Sequence, residues 1–226
     1  MPFRDLGERV REVRERVAAA AARGGHGQSV TIVAVTKTHG PDAVQAAFDA
    51  GLRDVGENRV QEALSKMDQA AAPVRWHLIG HLQRNKARHV SRFHLTHSID
   101  SARLADAVDA QASATSPLDV LVQVNVSGEG TKGGYALSDM EHEAERLKGM
   151  PGLRVRGAMT MAPFDAPERV LREVFAGARE ARRILAAAGH PATELSMGMS
   201  NDYEVAVEEG ATLVRLGTIL FGARST

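Results

Sequence analysis

SVTIVAVTKTHGPDAV, residues 29–44, decides the fold of this chain. Residues 30–36 are almost all apolar or β-branched, which is typical of a parallel strand that is covered on both faces. Gly40 and Pro41 follow closely and begin a helical pattern over 41–50. The stretch therefore predicts a buried strand followed by a helix, with Lys37 in the turn between them.

The alternation of strand and helix continues along the chain. We predict strands at 30–36, 53–55, 75–79, 94–98, 118–124, 153–158, 193–196 and 212–216. Helical patterns lie between them at 41–50, 58–70, 83–91, 101–114, 138–149, 167–188 and 200–209. An additional amphipathic helix precedes the first strand and is predicted to end near Gly24; its apolar face carries Leu6, Val10, Val13 and Val17.

This pattern predicts an α/β fold, a (β/α)8 TIM barrel with an extra N-terminal helix, as a single domain over 1–226. An open doubly wound sheet is the alternative. It is disfavoured because VTKTHG, residues 35–40, stands where a dinucleotide-binding sheet would carry G-x-G-x-x-G.

Composition limits the class of protein. The chain has 226 residues, of which 43% are hydrophobic, and this is enough for one substantial core. Its formal net charge is zero, so neither nucleic acid nor an anionic membrane is the expected partner. Cysteine is absent, the N-terminus lacks the apolar segment of a signal peptide, and no apolar run is long enough to span a membrane. We expect a cytoplasmic protein.

A barrel places its active site at the carboxyl ends of its strands, so functional residues are expected there. Most of these segments are polar or rich in glycine. In chain order they are Lys37, GENR (56–59), HLIGHLQ (77–83), HSIDS (97–101), NVSGEG (125–130), MTMAP (159–163), SMGMSN (196–201) and RLGT (215–218). The sequence therefore predicts a functional site at this rim of the barrel.

Lys37 is the most informative residue at the rim. The chain has 28 lysines and arginines, and the only lysines are Lys37, Lys66, Lys86, Lys132 and Lys148. A lysine where arginine is otherwise preferred suggests chemistry that needs an amine. The amine of a partly desolvated lysine can attack a carbonyl and form a Schiff base, which arginine cannot do. The alternative is a lysine that simply reaches from a strand end into water.

The last two strand ends suggest a phosphate site. In barrels, phosphate often binds between the loops after strands seven and eight. Ser196, Gly198 and Ser200 follow the seventh strand, and Gly217 and Thr218 follow the eighth. Taken singly, each is an ordinary cap or turn residue. Together with Lys37 they describe a pocket for a molecule with an aldehyde at one end and a phosphate at the other.

The motifs of the whole chain resemble a known family. VAVTKTHGPDAV, VGENRVQEALSK, WHLIGHLQRNK, HSIDS, NVSGEGTKGG, GAMTMAP and LSMGMSNDYEVAVEEGATLVRLGTILFGAR are similar to motifs of the pyridoxal 5'-phosphate homeostasis proteins. The fold of that family is similar to the N-terminal barrel of alanine racemase. The resemblance covers nearly the whole chain.

The resemblance implies a pyridoxal 5'-phosphate (PLP) site and a role for each of its residues. PLP would form a Schiff base with Lys37, and Arg215 would face its pyridine nitrogen. Asn58 and Met161 would flank the ring. The phosphate would contact Ser200 and the backbone of Gly217 and Thr218.

Arg215 bears on the chemistry that this site could support. A carboxylate beside the pyridine nitrogen keeps the ring protonated and able to accept electrons, whereas arginine, itself always protonated, disfavours the pyridinium form. The alternative is that Arg215 only pairs with a carboxylate at the rim.

Racemisation also needs an acid and a base on opposite faces of the substrate, and Lys37 can serve only one face. Alanine racemases supply the other group from a tyrosine on a second domain. Here we expect no second domain before the chain ends at Thr226, and neither Tyr135 nor Tyr203 is expected over the cofactor.

These observations favour a carrier or buffer of PLP over an enzyme. The resemblance implies a role in intracellular vitamin B6 homeostasis, with PLP-dependent apo-enzymes as recipients, and we expect a monomer. Two alternatives remain: a weak PLP-dependent amino-acid racemase, and a Schiff-base aldolase that acts on a phosphosugar.

Two histidines could indicate a metal, since His77 and His81 are four residues apart. They lie on a strand end and a loop rather than on one helix, so no metal site is predicted. We expect His77 to line the pocket or to form hydrogen bonds at the barrel rim. The basic stretch QRNKARHV, residues 83–90, is interpreted as an exposed helix face.

Overall fold

The computed structural model describes residues 3–128 and 133–222, so part of the motif NVSGEGTKGG lies outside the described residues. The described residues form parallel strands in a closed barrel, in which β1 pairs with both β2 and β8. The barrel prediction is thus confirmed, and the open sheet is wrong. The strands are β1 (Thr31–Val35), β2 (Asp54–Glu57), β3 (Arg75–Leu78), β4 (Leu95–Ile99), β5 (Leu118–Gln123), β6 (Leu153–Met159), β7 (Glu194–Ser196) and β8 (Leu213–Leu216).

Helices connect the strands and cover the outside of the barrel. A 3-10 helix at Arg84–Arg92 lies between β3 and β4, and a second one at Leu137–Asp139 lies directly before α5. The α-helices are α1 (Leu6–Gly24), α2 (Pro41–Asp49), α3 (Val60–Met67), α4 (Ala102–Asp109), α5 (Met140–Leu147), α6 (Glu168–Ala187), α7 (Tyr203–Glu208) and α8 (Thr218–Phe221). No helix of the described residues is both long and apolar enough to cross a membrane.

The helical pattern predicted at 83–91 forms a 3-10 helix rather than an α-helix. Its buried residues, Ala87 and Val90, are three positions apart, and Phe93 continues this spacing just beyond its end. A 3-10 helix has three residues per turn, so these side chains lie directly above one another on one face. The repeat of three explains the difference.

The N-terminal helix α1 packs against the outside of the barrel beside α7. Its predicted apolar face is buried, and the helix ends before Gly25, whose φ of 68° is readily adopted only by glycine. On the polar face, Arg23 Nε lies 2.6 Å from Glu208 Oε1 on α7. The helix therefore covers the last units of the barrel.

The barrel interior contains an apolar layer that is separate from the core under the helices. It consists of Val33, Leu95, Leu121, Met159 and Leu213, all of which are buried. Such packed layers make a TIM barrel solid rather than a pore. The layer forms a rigid base beneath the residues at the carboxyl ends of the strands.

Candidate functional site

A cavity of about 810 Å³ opens at the carboxyl ends of the strands, where the sequence predicts the site. This volume suits a small ligand or cofactor. Every residue that was predicted to contact the cofactor lines it: Lys37, Asn58, Met161, Ser200, Arg215, Gly217 and Thr218. Their binding role itself stays a prediction.

Lys37 is half-buried in the turn between β1 and α2, and the residues on both sides of it are held in place. Thr38 has a φ of 69°, which is costly for a β-branched residue. Its N–H donates to Glu62 Oε1 at 2.7 Å, and the carbonyl oxygen of Thr36 accepts from Lys66 Nζ at 2.7 Å. The turn that carries Lys37 is therefore fixed by side chains from α3.

Lys66 is the centre of a buried ionic cluster that the sequence analysis missed. Its ammonium lies 2.7 Å from Glu57 Oε1 and 3.0 Å from Glu62 Oε1. Burial raises the pKa of Glu57, although hydrogen bonds from Lys66 and Thr36 oppose this effect. The spacing of Glu62 and Lys66 by four residues on one helix was the available signal.

At the predicted phosphate end, Gly217 and Thr218 line the cavity. The N–H groups of Gly217 and Thr218 donate to no acceptor among residues 3–128 and 133–222. Ser200 Oγ accepts the N–H of Ile219 at 3.3 Å, which brings the two loops together. Backbone N–H groups and a hydroxyl are suited to an anion such as phosphate.

Ser196 does not belong to this predicted phosphate site, although the sequence grouped it with Ser200. It is the last residue of β7, is fully buried, and lies inside the barrel. Its hydroxyl contacts Arg215 and His97. Successive side chains of a strand point to opposite faces, but a strand of three residues gives too short a pattern to assign the inner face.

Arg215 is buried between the cavity and the barrel interior. Its NH1 donates to Ser196 Oγ at 2.6 Å, and its NH2 donates to the carbonyl oxygen of Thr160 at 2.9 Å. Burial lowers the pKa of Arg215 to about 10, and the charge of Asp202 opposes this shift. Arg215 forms no salt bridge with a carboxylate in the part of the chain that the structure describes.

A line of buried polar side chains continues from Ser196 across the barrel. His97 Nδ1 lies 2.8 Å from Ser196 Oγ, and His97 Nε2 lies 2.9 Å from His77 Nδ1. His77 Nε2 is 2.9 Å from Asp54 Oδ1. His77 therefore lies inside the barrel, whereas it was expected to line the pocket or to form hydrogen bonds at the barrel rim. No group of three metal-ligating side chains suited to an ion occurs among the described residues.

His81 has a different position, at the wall of the cavity. Its Nδ1 lies 2.8 Å from Asp100 Oδ2, and its side chain is 69% exposed while that of Asp100 is 9% exposed. The pair could exchange a proton with a ligand, and the sequence analysis did not identify it. The two histidines that share a four-residue spacing thus belong to different environments.

Neither tyrosine of the chain lines the cavity. Tyr203 is buried on α7, which packs against α1 outside the barrel. Tyr135 forms an isolated bridge with Val124. That neither ring serves as a base within the site stays a prediction.

Comparison with known proteins gives consistent results. The model of the alanine racemase N-terminal domain family matches residues 9–225. A Pseudomonas aeruginosa protein named pyridoxal phosphate homeostasis protein is 43% identical over 223 residues, covering 97% of this chain and 96% of that one.

Two solved structures extend the comparison. PipY of Synechococcus elongatus with PLP bound has a TM-score of 0.83 and 36% identity, and the match covers 96% of this chain and all of PipY. Alanine racemase from Corynebacterium glutamicum has a TM-score of 0.74 at 15% identity, covering 99% of this chain and 62% of the racemase, and shares the fold.

Proposed function

Since the chain belongs to the family of pyridoxal phosphate homeostasis proteins, we propose that it binds PLP as a Schiff base on Lys37 and acts as an intracellular PLP carrier and buffer rather than as a catalyst. The observation that carries this proposal is the convergence of Lys37, Arg215 and the unpaired N–H groups of Gly217 and Thr218 on one cavity. These groups match, respectively, the aldehyde, the pyridine nitrogen and the phosphate of one molecule.

The residues of the cavity fit PLP in chemistry as well as in position. PLP carries an anionic phosphate, and the loops after β7 and β8 offer Ser200 and free backbone donors. Asn58 and Met161 provide an amide and a flexible apolar side chain for the ring. When bound, PLP supplies an electrophilic aldehyde that an amine can capture reversibly.

Arg215 supports the carrier role. It is held by Ser196 and Thr160, and its positive charge disfavours protonation of a ring nitrogen next to it. An unprotonated ring stabilises a substrate carbanion poorly. A site with Arg215 can therefore bind PLP without promoting carbanion chemistry on it.

The carrier proposal includes delivery of PLP to apo-enzymes by a single-domain, monomeric, cytoplasmic protein. To test delivery, PLP-loaded protein is mixed with an apo-form PLP enzyme in the presence of a phosphatase that destroys free PLP. We expect recovery of enzyme activity with wild type and with Lys148→Ala, an exposed lysine away from the cavity. Lys37→Ala should give no recovery. Equal recovery from Lys37→Ala and wild type would contradict the proposal.

A weak amino-acid racemase is the second candidate, and His81 is the observation that favours it. Its ring lines the cavity and is paired with Asp100, so it could exchange a proton with a substrate. Loss of optical rotation from an L-amino acid, abolished by both Lys37→Ala and His81→Ala, would establish this activity. We expect no such loss with the wild type.

A further inference from the structure

An unbroken chain of hydrogen bonds crosses the barrel interior from Arg215 at the cavity to Asp54, the first residue of β2, at the opposite end. Arg75, at the start of β3, completes it with two bonds to the Asp54 carboxylate, of 2.8 and 2.6 Å. The links, in order from the cavity, are Arg215 to Ser196 (2.6 Å), Ser196 to His97 (2.8 Å), His97 to His77 (2.9 Å) and His77 to Asp54 (2.9 Å).

The donors in this chain can be assigned from its charged ends. Burial alone would raise the pKa of Asp54, but hydrogen bonds from His77 and Arg75 outweigh it and lower the pKa to about 2. The ionised carboxylate accepts, so His77 carries its hydrogen on Nε2. His77 Nδ1 is then the nitrogen that can accept from His97 Nε2–H, and His97 Nδ1 accepts the hydroxyl hydrogen of Ser196.

The opposite direction leaves a buried hydroxyl without an acceptor. If His97 donated to Ser196, then Ser196 Oγ would receive both His97 and Arg215, and its own hydrogen would need a third partner. Among residues 3–128 and 133–222, the hydrogen-bond partners of the Ser196 hydroxyl are His97 and Arg215. An unsatisfied buried hydroxyl costs about 1–3 kcal/mol. The structure therefore favours hydrogen bonds that all point from Arg215 toward Asp54.

We infer that His77, His97 and Ser196 are positioning residues for Arg215, and that Asp54 sets the direction of their hydrogen bonds from the far end of the barrel. The oxygen of Ser196 is thereby kept as an acceptor for Arg215 NH1. With NH2 held by Thr160, the other N–H groups of the guanidinium are left for the cavity. The effect on a cofactor rests on the proposed function, in which Arg215 faces the ring nitrogen.

The first test uses the protein without cofactor. Nitrogen-15 NMR of the imidazole rings distinguishes the two neutral tautomers, and nitrogen-15 NMR of the Arg215 guanidinium reports whether its rotation is hindered. We expect His77 and His97 as Nε2–H tautomers and a hindered Arg215 in the wild type. Asp54→Asn should weaken the preference of His77 for the Nε2–H tautomer, because an amide offers one oxygen in place of the two that accept from Arg75 and His77.

Ser196→Ala is the complementary variant, because it breaks the chain next to Arg215 while removing only one oxygen atom. It should leave His77 unchanged and free the rotation of Arg215. His94→Gln is the matched control. The His94 ring lies edge-on to His77, with the two ring centroids 5.5 Å apart, but takes no part in the chain of hydrogen bonds. A thermal melt of each variant confirms folding.

The second test uses PLP-loaded protein and follows the visible absorption band with pH. In Ser196→Ala and Asp54→Asn the looser arginine allows the ring nitrogen to protonate. The charge on the ring then lowers the pKa of the Schiff-base nitrogen, so the midpoint of the visible band should move down by roughly half a pH unit or more. His94→Gln should match the wild type. The inference would be overturned if His97 of the wild type were the Nδ1–H tautomer, or if the midpoint were unchanged in both Ser196→Ala and Asp54→Asn.

Failure of the proposed function has a different signature. It appears as wild-type protein that takes up no PLP and develops no visible band. The NMR test needs no cofactor. In that case the tautomers of His77 and His97 and the rotation of Arg215 still decide whether the chain of hydrogen bonds positions Arg215.

Discussion

Lys66 Nζ donates a hydrogen bond of 2.7 Å to the carbonyl oxygen of Thr36, the residue before Lys37. The same ammonium neutralises Glu57. Lys66 therefore both pairs with a buried carboxylate and fixes the backbone of the turn that carries Lys37. The position of Lys37 thus depends on a cluster that is not part of the cavity wall.

Lys66→Met should destabilise the protein by about 3–5 kcal/mol, because it leaves Glu57 charged, buried and unpaired. The double variant Lys66→Met/Glu57→Gln should recover much of this loss, since no unpaired charge remains. Urea unfolding of both variants measures the difference. Equal stability of the single and double variants would show that an unpaired charge on Glu57 is not the cause of the loss.

Gly80→Ala should weaken PLP binding while the protein remains folded. A Cβ at position 80 would lie 2.3 Å from the carbonyl oxygen of Asn58, so the backbone of Asn58 must move. Overpacking of this kind costs about 1–3 kcal/mol, which predicts a loss of affinity of roughly tenfold. Titration of the visible band measures it. Gly7→Ala is the control, because nothing lies within 4 Å of its added Cβ, and it should bind normally.

Ser200→Ala should reduce the affinity for PLP by roughly tenfold or more, the value of a hydrogen bond to a charged group. The affinity for pyridoxal, which lacks the phosphate, should not change. Ser138→Ala, an exposed serine outside the cavity, should affect neither ligand. A parallel loss of affinity for both ligands would place Ser200 away from the phosphate.

Stability should fall as the pH decreases below about 6.5, the ordinary pKa of histidine. Burial lowers the pKa of His97 well below 6.5, and the positive charge of Arg215 acts in the same direction, as would protonation of His77 or His94. The unfolded chain therefore binds a proton at His97 that the folded protein excludes, and stability is lost by up to about 1.4 kcal/mol per pH unit.

Chemical unfolding between pH 7 and pH 5 tests this dependence. His97→Gln removes the titrating ring, so its stability should vary less with pH than that of the wild type, whatever its stability at pH 7. His26→Gln, an exposed histidine, should follow the wild type. An unchanged slope in His97→Gln would show that His97 is not the responsible group.

The barrel could be predicted from the sequence because each strand combines a short apolar run with a following helical pattern. The site could be located because barrel chemistry gathers at the carboxyl ends of the strands. The resemblance to a family then supplied roles for Asn58 and Met161, to which spacing alone assigned none.

The barrel interior could not be predicted in the same way. Apolar runs suggested an apolar interior, whereas His77, His97 and Ser196 form a polar line through it. Polar residues can be buried there only because each one finds a partner on another strand, and those pairings depend on the register of the closed barrel. A single sequence does not contain that register.

The most direct measurement of the central claim is borohydride reduction of the PLP-loaded protein, followed by peptide mapping. The proposed Schiff base predicts a yellow band that borohydride bleaches, with phosphopyridoxyl left on the peptide that contains Lys37. Lys37→Ala should give no adduct, whereas Lys148→Ala should label as the wild type does. A wild-type protein with no visible band, or an adduct confined to another lysine, would contradict the account.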